Sequence, residues 1–217
     1  ILSVGDRLII EKYLSPEMVG LYALNYSFVS ILSIITAVFS KSWISVLFKN
    51  LNDKNDISQE TNLASTALVI IMGLSAMFIT IFSKELVLLF SNNNYVKGIE
   101  IIPFLVIGYI IQTLYIISID KLYYTKKTYL TSAILIMISI FNIGLNIILV
   151  PLLLLKGAAL ATMLAILSQT VLVYYFSQKY NYISFKLINM IKLMSIFITI
   201  IIIYSNFLYV ILPLRII

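Results

Sequence analysis

The stretch SVGDRLIIEKYLSPEMVGLY, Ser3 to Tyr22, decides how the rest of the chain is read. An acid and a base, Asp6 and Arg7, stand side by side inside an apolar run. A polar break follows at Glu11–Glu17, and Gly20-Leu21-Tyr22 then opens a long apolar segment. A charge at the centre of a membrane helix costs about 2.5–3.5 kcal/mol on insertion scales, and is kept where it pairs or faces a wet cavity. Ile1–Leu14 is too short to span and reads as the second half of a helix, closed by Ser15-Pro16, where proline suits a loop or a first helical turn. If the protein moves a polar cargo, Arg7 is the first candidate to meet it.

The surroundings support a membrane reading. The 217 residues are 61% hydrophobic and 11% charged, which excludes an ordinary soluble domain. Apolar residues come in runs of about 20, the length that crosses ~30 Å of hydrocarbon. Such segments satisfy their backbone internally as helices. The fold class is therefore all-α, a polytopic membrane helix bundle.

Beyond the first half-helix, six complete spans are expected: about Val19–Phe48, Leu63–Phe82, Ile99–Ile119, Leu130–Val150, Ala158–Ser177 and Ile191–Leu212. Lys41 and Trp43 suit an interfacial anchor. Asp56-Ile57-Ser58-Gln59 resembles a helix-starting box. Ser83–Phe90 reads as a short interfacial helix, Asp120–Tyr129 as a tight basic loop, Gln178–Met190 as weakly amphipathic, and Lys156-Gly157 as the only break between the fifth and sixth segments. With Met18 the first methionine, the chain is expected to lack its true beginning: one transmembrane domain over residues 1–217 whose N-terminal lobe is missing.

Loop charge gives an orientation. If the first segment ends outside, Lys41, Lys49, Lys54, Lys121, Lys126, Lys127, Lys179, Lys186 and Lys192 fall inside. Lys12, Lys84, Lys97, Lys156 and Arg215 fall outside. Asp120 and Lys121 then read as an inner-leaflet anchor.

Several chemistries are excluded. The chain has no cysteine and no histidine, which removes disulfides, thiol nucleophiles, imidazole bases and the usual zinc sites. No phosphate-binding glycine loop is present. The net charge of +6 is scattered between apolar segments, which does not suit nucleic acid. No cofactor or metal is expected, and without a sizeable extramembrane loop an enzyme is not expected either.

At 100° per residue, polar residues gather into stripes. Tyr22, Asn25, Ser33, Thr36, Ser40 and Trp43 share one face of the second segment. Thr128, Ser132, Ser139, Asn142 and Asn146 share one of the fifth, and Ala158, Thr162, Ala165 and Gln169 one of the sixth. Two readings stay open: close helix–helix contact through small and amide residues, or a shared water-filled cavity in which Asn25, Asn142, Asn146 and Gln169 meet a sugar. For Arg7 the alternatives are snorkelling to the interface and a role inside. Asp6 and Arg7 point ~100° apart and need not pair.

VGDRLIIEKYLSPEMVGLY resembles the seventh-to-eighth helix region of bacterial polysaccharide (O-antigen type) flippases, of the multidrug/oligosaccharidyl-lipid/polysaccharide exporter superfamily. SKELVLLFSNNNY, IEIIPFLVIGYIIQTLY, KLYYTKKTYLTS, FNIGLNIILVP and GAALATMLAILSQ follow in the order and spacing of that family. The resemblance implies the C-terminal lobe of a two-lobe exporter in the bacterial cytoplasmic (inner) membrane. It would flip polyprenyl-pyrophosphate-linked oligosaccharide for surface polysaccharide (O-antigen, lipopolysaccharide or capsule) biosynthesis, by alternating access. The implied partners are the lipid-linked oligosaccharide, the bilayer, and the missing lobe or other polysaccharide-assembly proteins. It gives Arg7 the pyrophosphate, with Asp6 as candidate counter-ion, a role that suits a guanidinium's permanent charge and bidentate geometry. The alternatives are a multidrug or toxin exporter half, whose cationic cargo would favour acidic and aromatic walls, and a membrane polysaccharide polymerase. A last segment numbered thirteen departs from the usual twelve or fourteen helices.

Overall fold

One helix organises the bundle. In a computed structural model, which describes residues 2–52, 58–180 and 187–211, α5 (Ile102–Tyr124) runs through the middle. It packs most extensively on α7 (Leu155–Tyr180), and also on α2 (Pro16–Asn52), α3 (Ser58–Ile81) and α8 (Leu187–Ile211). The position follows from its sequence. Ile102, Leu105, Val106, Ile110, Ile117 and Leu122 surround the helix on several sides, and all are buried. A helix that is apolar all round belongs inside a bundle.

The other elements arrange themselves about this core. α6 (Thr128–Leu153) backs onto α7, and α1 (Leu2–Tyr13) contacts α2, α6 and α7. The short α4 (Ser83–Phe90) leads into a 3-10 helix, Asn93–Ile101, that leans on α2. The described residues form six helices long and apolar enough to cross a membrane. The fold is thus an all-helical, multi-pass bundle, as the apolar runs predict.

Boundaries follow local chemistry. α2 begins with Pro16 after Ser15, whose hydroxyl accepts from Met18 N at 3.3 Å, a side-chain cap with proline in the first turn. Its 37 residues extend about 55 Å, well beyond the hydrocarbon, so one end reaches Phe48 against Tyr124 of α5, ring centroids 5.3 Å apart. Asn92 caps the 3-10 segment by accepting from Asn94 N at 3.0 Å. Nine residues is long for that geometry, and Asn25 holds it from outside: its Nδ2 donates to Tyr95 O at 3.2 Å.

Three expectations are corrected. The basic loop expected over Asp120–Tyr129 is largely helix: α5 continues to Tyr124, the chain reverses within Thr125–Lys127, and Lys126 takes φ 56°. Second, Lys156-Gly157 is not the break between the last two core helices. The turn falls at Leu154, φ 55°, and Lys156 and Gly157 lie inside α7. The reason is steric, since a methyl group at Gly157 would overlap the Leu149 carbonyl of α6; glycine is what lets the chain fold back so tightly. Third, Asp120 and Lys121 are not surface anchors; both are fully buried.

Part of the reading lies outside the described residues: the helix-starting box at Asp56-Ile57, residues 181–186 of the amphipathic stretch, and Lys54, Lys186 and Arg215.

Candidate functional site: a carboxylate shared by four helices

Asp6 sits on α1 with its side chain fully buried. Three donors from three other helices converge on it. Tyr22 of α2 donates its hydroxyl to Oδ2 at 2.8 Å. Thr162 of α7 donates to the same oxygen at 2.6 Å. Asn146 of α6 donates Nδ2 to Oδ1 at 2.8 Å. The carboxylate therefore joins α1, α2, α6 and α7 inside the apolar bundle.

Local sequence explains why these groups can meet. On α6 the buried positions are Ile134, Ile138, Asn142, Asn146 and Val150, a strict four-residue spacing that keeps one face turned inward. On α7, Gly157, Ala158, Ala159, Ala161 and Ala165 are buried. These small side chains let neighbouring backbones approach and leave Thr162 within reach of Asp6. Asn146 is held further by donating to Asn142 O at 3.0 Å.

The remaining amide atoms are the unusual part. Asn146 Oδ1 and Asn142 Nδ2 are buried without a hydrogen-bond partner, a costly condition in an apolar interior. Asn142 stands beside the same carboxylate. Asn146 turns its amide nitrogen to the carboxylate; with both amides flipped, Asp6, Asn142, Asn146, Tyr22 and Thr162 would present an all-oxygen set. Rotation of the hydroxyls and amides would turn lone pairs inward, a donor chemistry suited to a hard cation. Among the described residues no group of three or more His, Cys, Asp or Glu stands together.

The expected site residues divide. Asp6, Asn142 and Asn146 come together. Gln169 is buried on α7, seven residues past Thr162 and about 10 Å along the axis, outside this hydrogen-bonded group. Asn25 is engaged elsewhere, where its Nδ2 donates to Leu21 O at 2.9 Å and to Tyr95 O and so braces the 3-10 helix. Arg7 is half-buried and does not pair with Asp6. Among the described residues it forms no ion pair, and its Nε is buried without a hydrogen-bond partner. Tyr22, Thr162 and Asn146 occupy the carboxylate instead.

Tyr22 and Thr162 complete the site although neither stands among the expected site residues. Both lie on the polar stripes, where the signal to notice was a hydroxyl at the level of a buried acid. Most other stripe hydroxyls turn back onto their own helices, as Ser33 does to Ser30 O, Thr36 to Ser33 O and Ser139 to Leu135 O. These are local bonds with no consequence for a cavity.

Fold and site together define a multi-pass α-helical membrane protein with a buried, shared carboxylate. No family model matches the chain, and neither a curated protein nor a solved structure matches it.

Proposed function

We propose that this chain is one lobe of a membrane carrier that works by alternating access, with the Asp6 group as its ion-coupling element. The observation that carries the reading is the buried Asp6 carboxylate, which bridges four helices. An ionisable group inside a membrane bundle is expensive, and functional sites are where that expense is tolerated. A charge shared by α1, α2, α6 and α7 also gives those helices two arrangements, one with the carboxylate held by donors and one with a cation among the oxygens. An ion that favours one arrangement shifts the bundle toward it.

The cargo proposed is a polyprenyl-pyrophosphate-linked oligosaccharide, on the sequence resemblance, flipped across the bacterial cytoplasmic membrane during surface polysaccharide synthesis. Arg7 is assigned to the pyrophosphate. Its freedom from Asp6 supports that role, since a guanidinium already engaged with a carboxylate has fewer donors for phosphate oxygens. The fully buried Asp6 does not face a bulky cargo in this conformation, which separates coupling from cargo recognition. A multidrug exporter of cations is less well supported, because Asp6 and Asp120, both buried, offer no acidic wall to the outside.

The test is polysaccharide display in cells that depend on this gene. Arg7→Ala is expected to abolish display at unchanged protein level, and Asp6→Asn to do the same with folding retained. Normal display in Arg7→Ala would end the role given to Arg7. Drug resistance that responds to the gene, with display unaffected, would favour the multidrug exporter.

A further inference from the structure

The second buried acid, Asp120, has no part in the Asp6 group. It lies in the last turns of α5, 1% exposed, four residues before the helix ends at Tyr124. Neither carboxyl oxygen completes a hydrogen bond. The Ser40 hydroxyl of α2 stands next to it. One turn further along α2, Trp43 is 6% exposed and its Nε1 also lacks a partner. The seam then closes with Phe48 against Tyr124.

Three effects oppose a negative charge here. The group is desolvated. It sits near the carbonyl end of a helix, where the backbone dipole disfavours anions. It also lacks the donors that hold Asp6. Lys121 is its sequence neighbour, but successive side chains diverge by about 100°. Tyr115 and Tyr123 of α5 stand within electrostatic reach of Asp120, and the buried, titratable Lys121 adjoins it in the chain. From α2 the group facing it is Ser40. Among the described residues Asp120 forms no ion pair. A metal ion would need several more oxygen ligands than the acid and one hydroxyl provide. A proton needs none.

We propose that Asp120 is a proton-carrying carboxyl at the end of the α2–α5 seam that adjoins the Lys126-Lys127 turn. It holds its proton while the seam is closed and passes it to water when the helix ends part. The acid O–H bond breaks, the proton moves to a water molecule, and the carboxylate is left solvated. Reclosure requires the proton back, so opening of this end is tied to proton exchange. The inference rests on the reading of the chain as an alternating-access carrier, but its test does not depend on the cargo.

The experiment is infrared spectroscopy of the full chain reconstituted in lipid vesicles, with pH varied from mildly acidic to mildly alkaline. A carboxylic-acid carbonyl band is expected at neutral pH, absent in Asp120→Asn and retained in Asp6→Asn. Because the chain has no native cysteine, spin labels on Lys41→Cys and Lys126→Cys can report the seam. Their separation should lengthen at alkaline pH in the wild type and stay short in Asp120→Asn. No Asp120-dependent band, or the same distance response in both proteins, overturns the proposal. Should Asp120→Asn fail to fold, Ser40→Ala should shift the band in frequency by removing the neighbouring hydroxyl, and an unshifted band would equally overturn it. Loss of the transport reading on cargo grounds would leave the band in place, so the two failures are distinguishable.

Discussion

Asn146 donates Nδ2 to Asp6 Oδ1 at 2.8 Å, joining residues 140 positions apart in the chain. Arg7, next to Asp6 in sequence, makes no ion pair with it. The acid is thus committed to α6 rather than to the adjacent base, and the two charges are free to serve different ends.

From this follows the first prediction. Asp6→Ala leaves the Tyr22, Thr162 and Asn146 donors buried without an acceptor, and breaking such a group costs about 3–5 kcal/mol. A marked fall in the thermal midpoint of the purified protein is expected. Asp6→Asn keeps the shape and one acceptor oxygen, and should lose less than half as much. Equal losses in the two variants would show that packing, not the hydrogen bonds to Asp6, holds this region.

Tyr22→Phe and Thr162→Val each remove one donor to Oδ2 with little change of volume. Groups that share a hydrogen-bonding partner are coupled rather than additive. In a double-mutant cycle with Asp6→Asn, each should show an interaction energy of about 1–2 kcal/mol. Additive effects would mean that the hydroxyls stand near the acid without stabilising it.

Cation binding offers a third test. If the oxygen set takes a hard monovalent cation, salt that raises the population of the bound form stabilises the fold by mass action. Sodium chloride should raise the thermal midpoint of the wild type more than an equal concentration of a bulky organic-cation chloride does. The difference should vanish in Asp6→Asn. An identical response to both salts in the wild type would remove the coupling role from this group.

How much of this could be read from sequence varies by scale. Span number and helix type were legible because apolar runs about 20 residues long allow little else in a membrane. Where helices meet was less so. On the α6 stripe Asn142 and Asn146 are buried, yet Thr128 and Ser132 are not, because a helix stripe continues past the neighbour it packs on. Asn25 lies three residues from Tyr22 on one face, but the 3-10 segment intervenes and takes its amide. The burial of Lys121 was hidden because positive loop residues ordinarily sit in water, and only the extension of α5 to Tyr124 draws it inside.

The tightest backbone approach gives the last prediction. Gly157 of α7 packs directly beneath the Leu149 carbonyl and Val150 nitrogen of α6, and a Cβ there would overlap both. These are main-chain atoms of a packed helix and cannot swing aside as a flexible side chain could. Gly157→Ala must therefore separate the start of α7 from α6, a strain of about 1–3 kcal/mol. Five residues later α7 carries Thr162, so the same displacement should lengthen its bond to Asp6. A lower thermal midpoint is expected, together with a weaker coupling between Thr162→Val and Asp6→Asn than in the wild-type background. By contrast, Gly144 has open space around it, and Gly144→Ala should leave both measurements unchanged. If Gly157→Ala were as well tolerated as Gly144→Ala, the α6–α7 hairpin would not be the element that sets the position of Thr162.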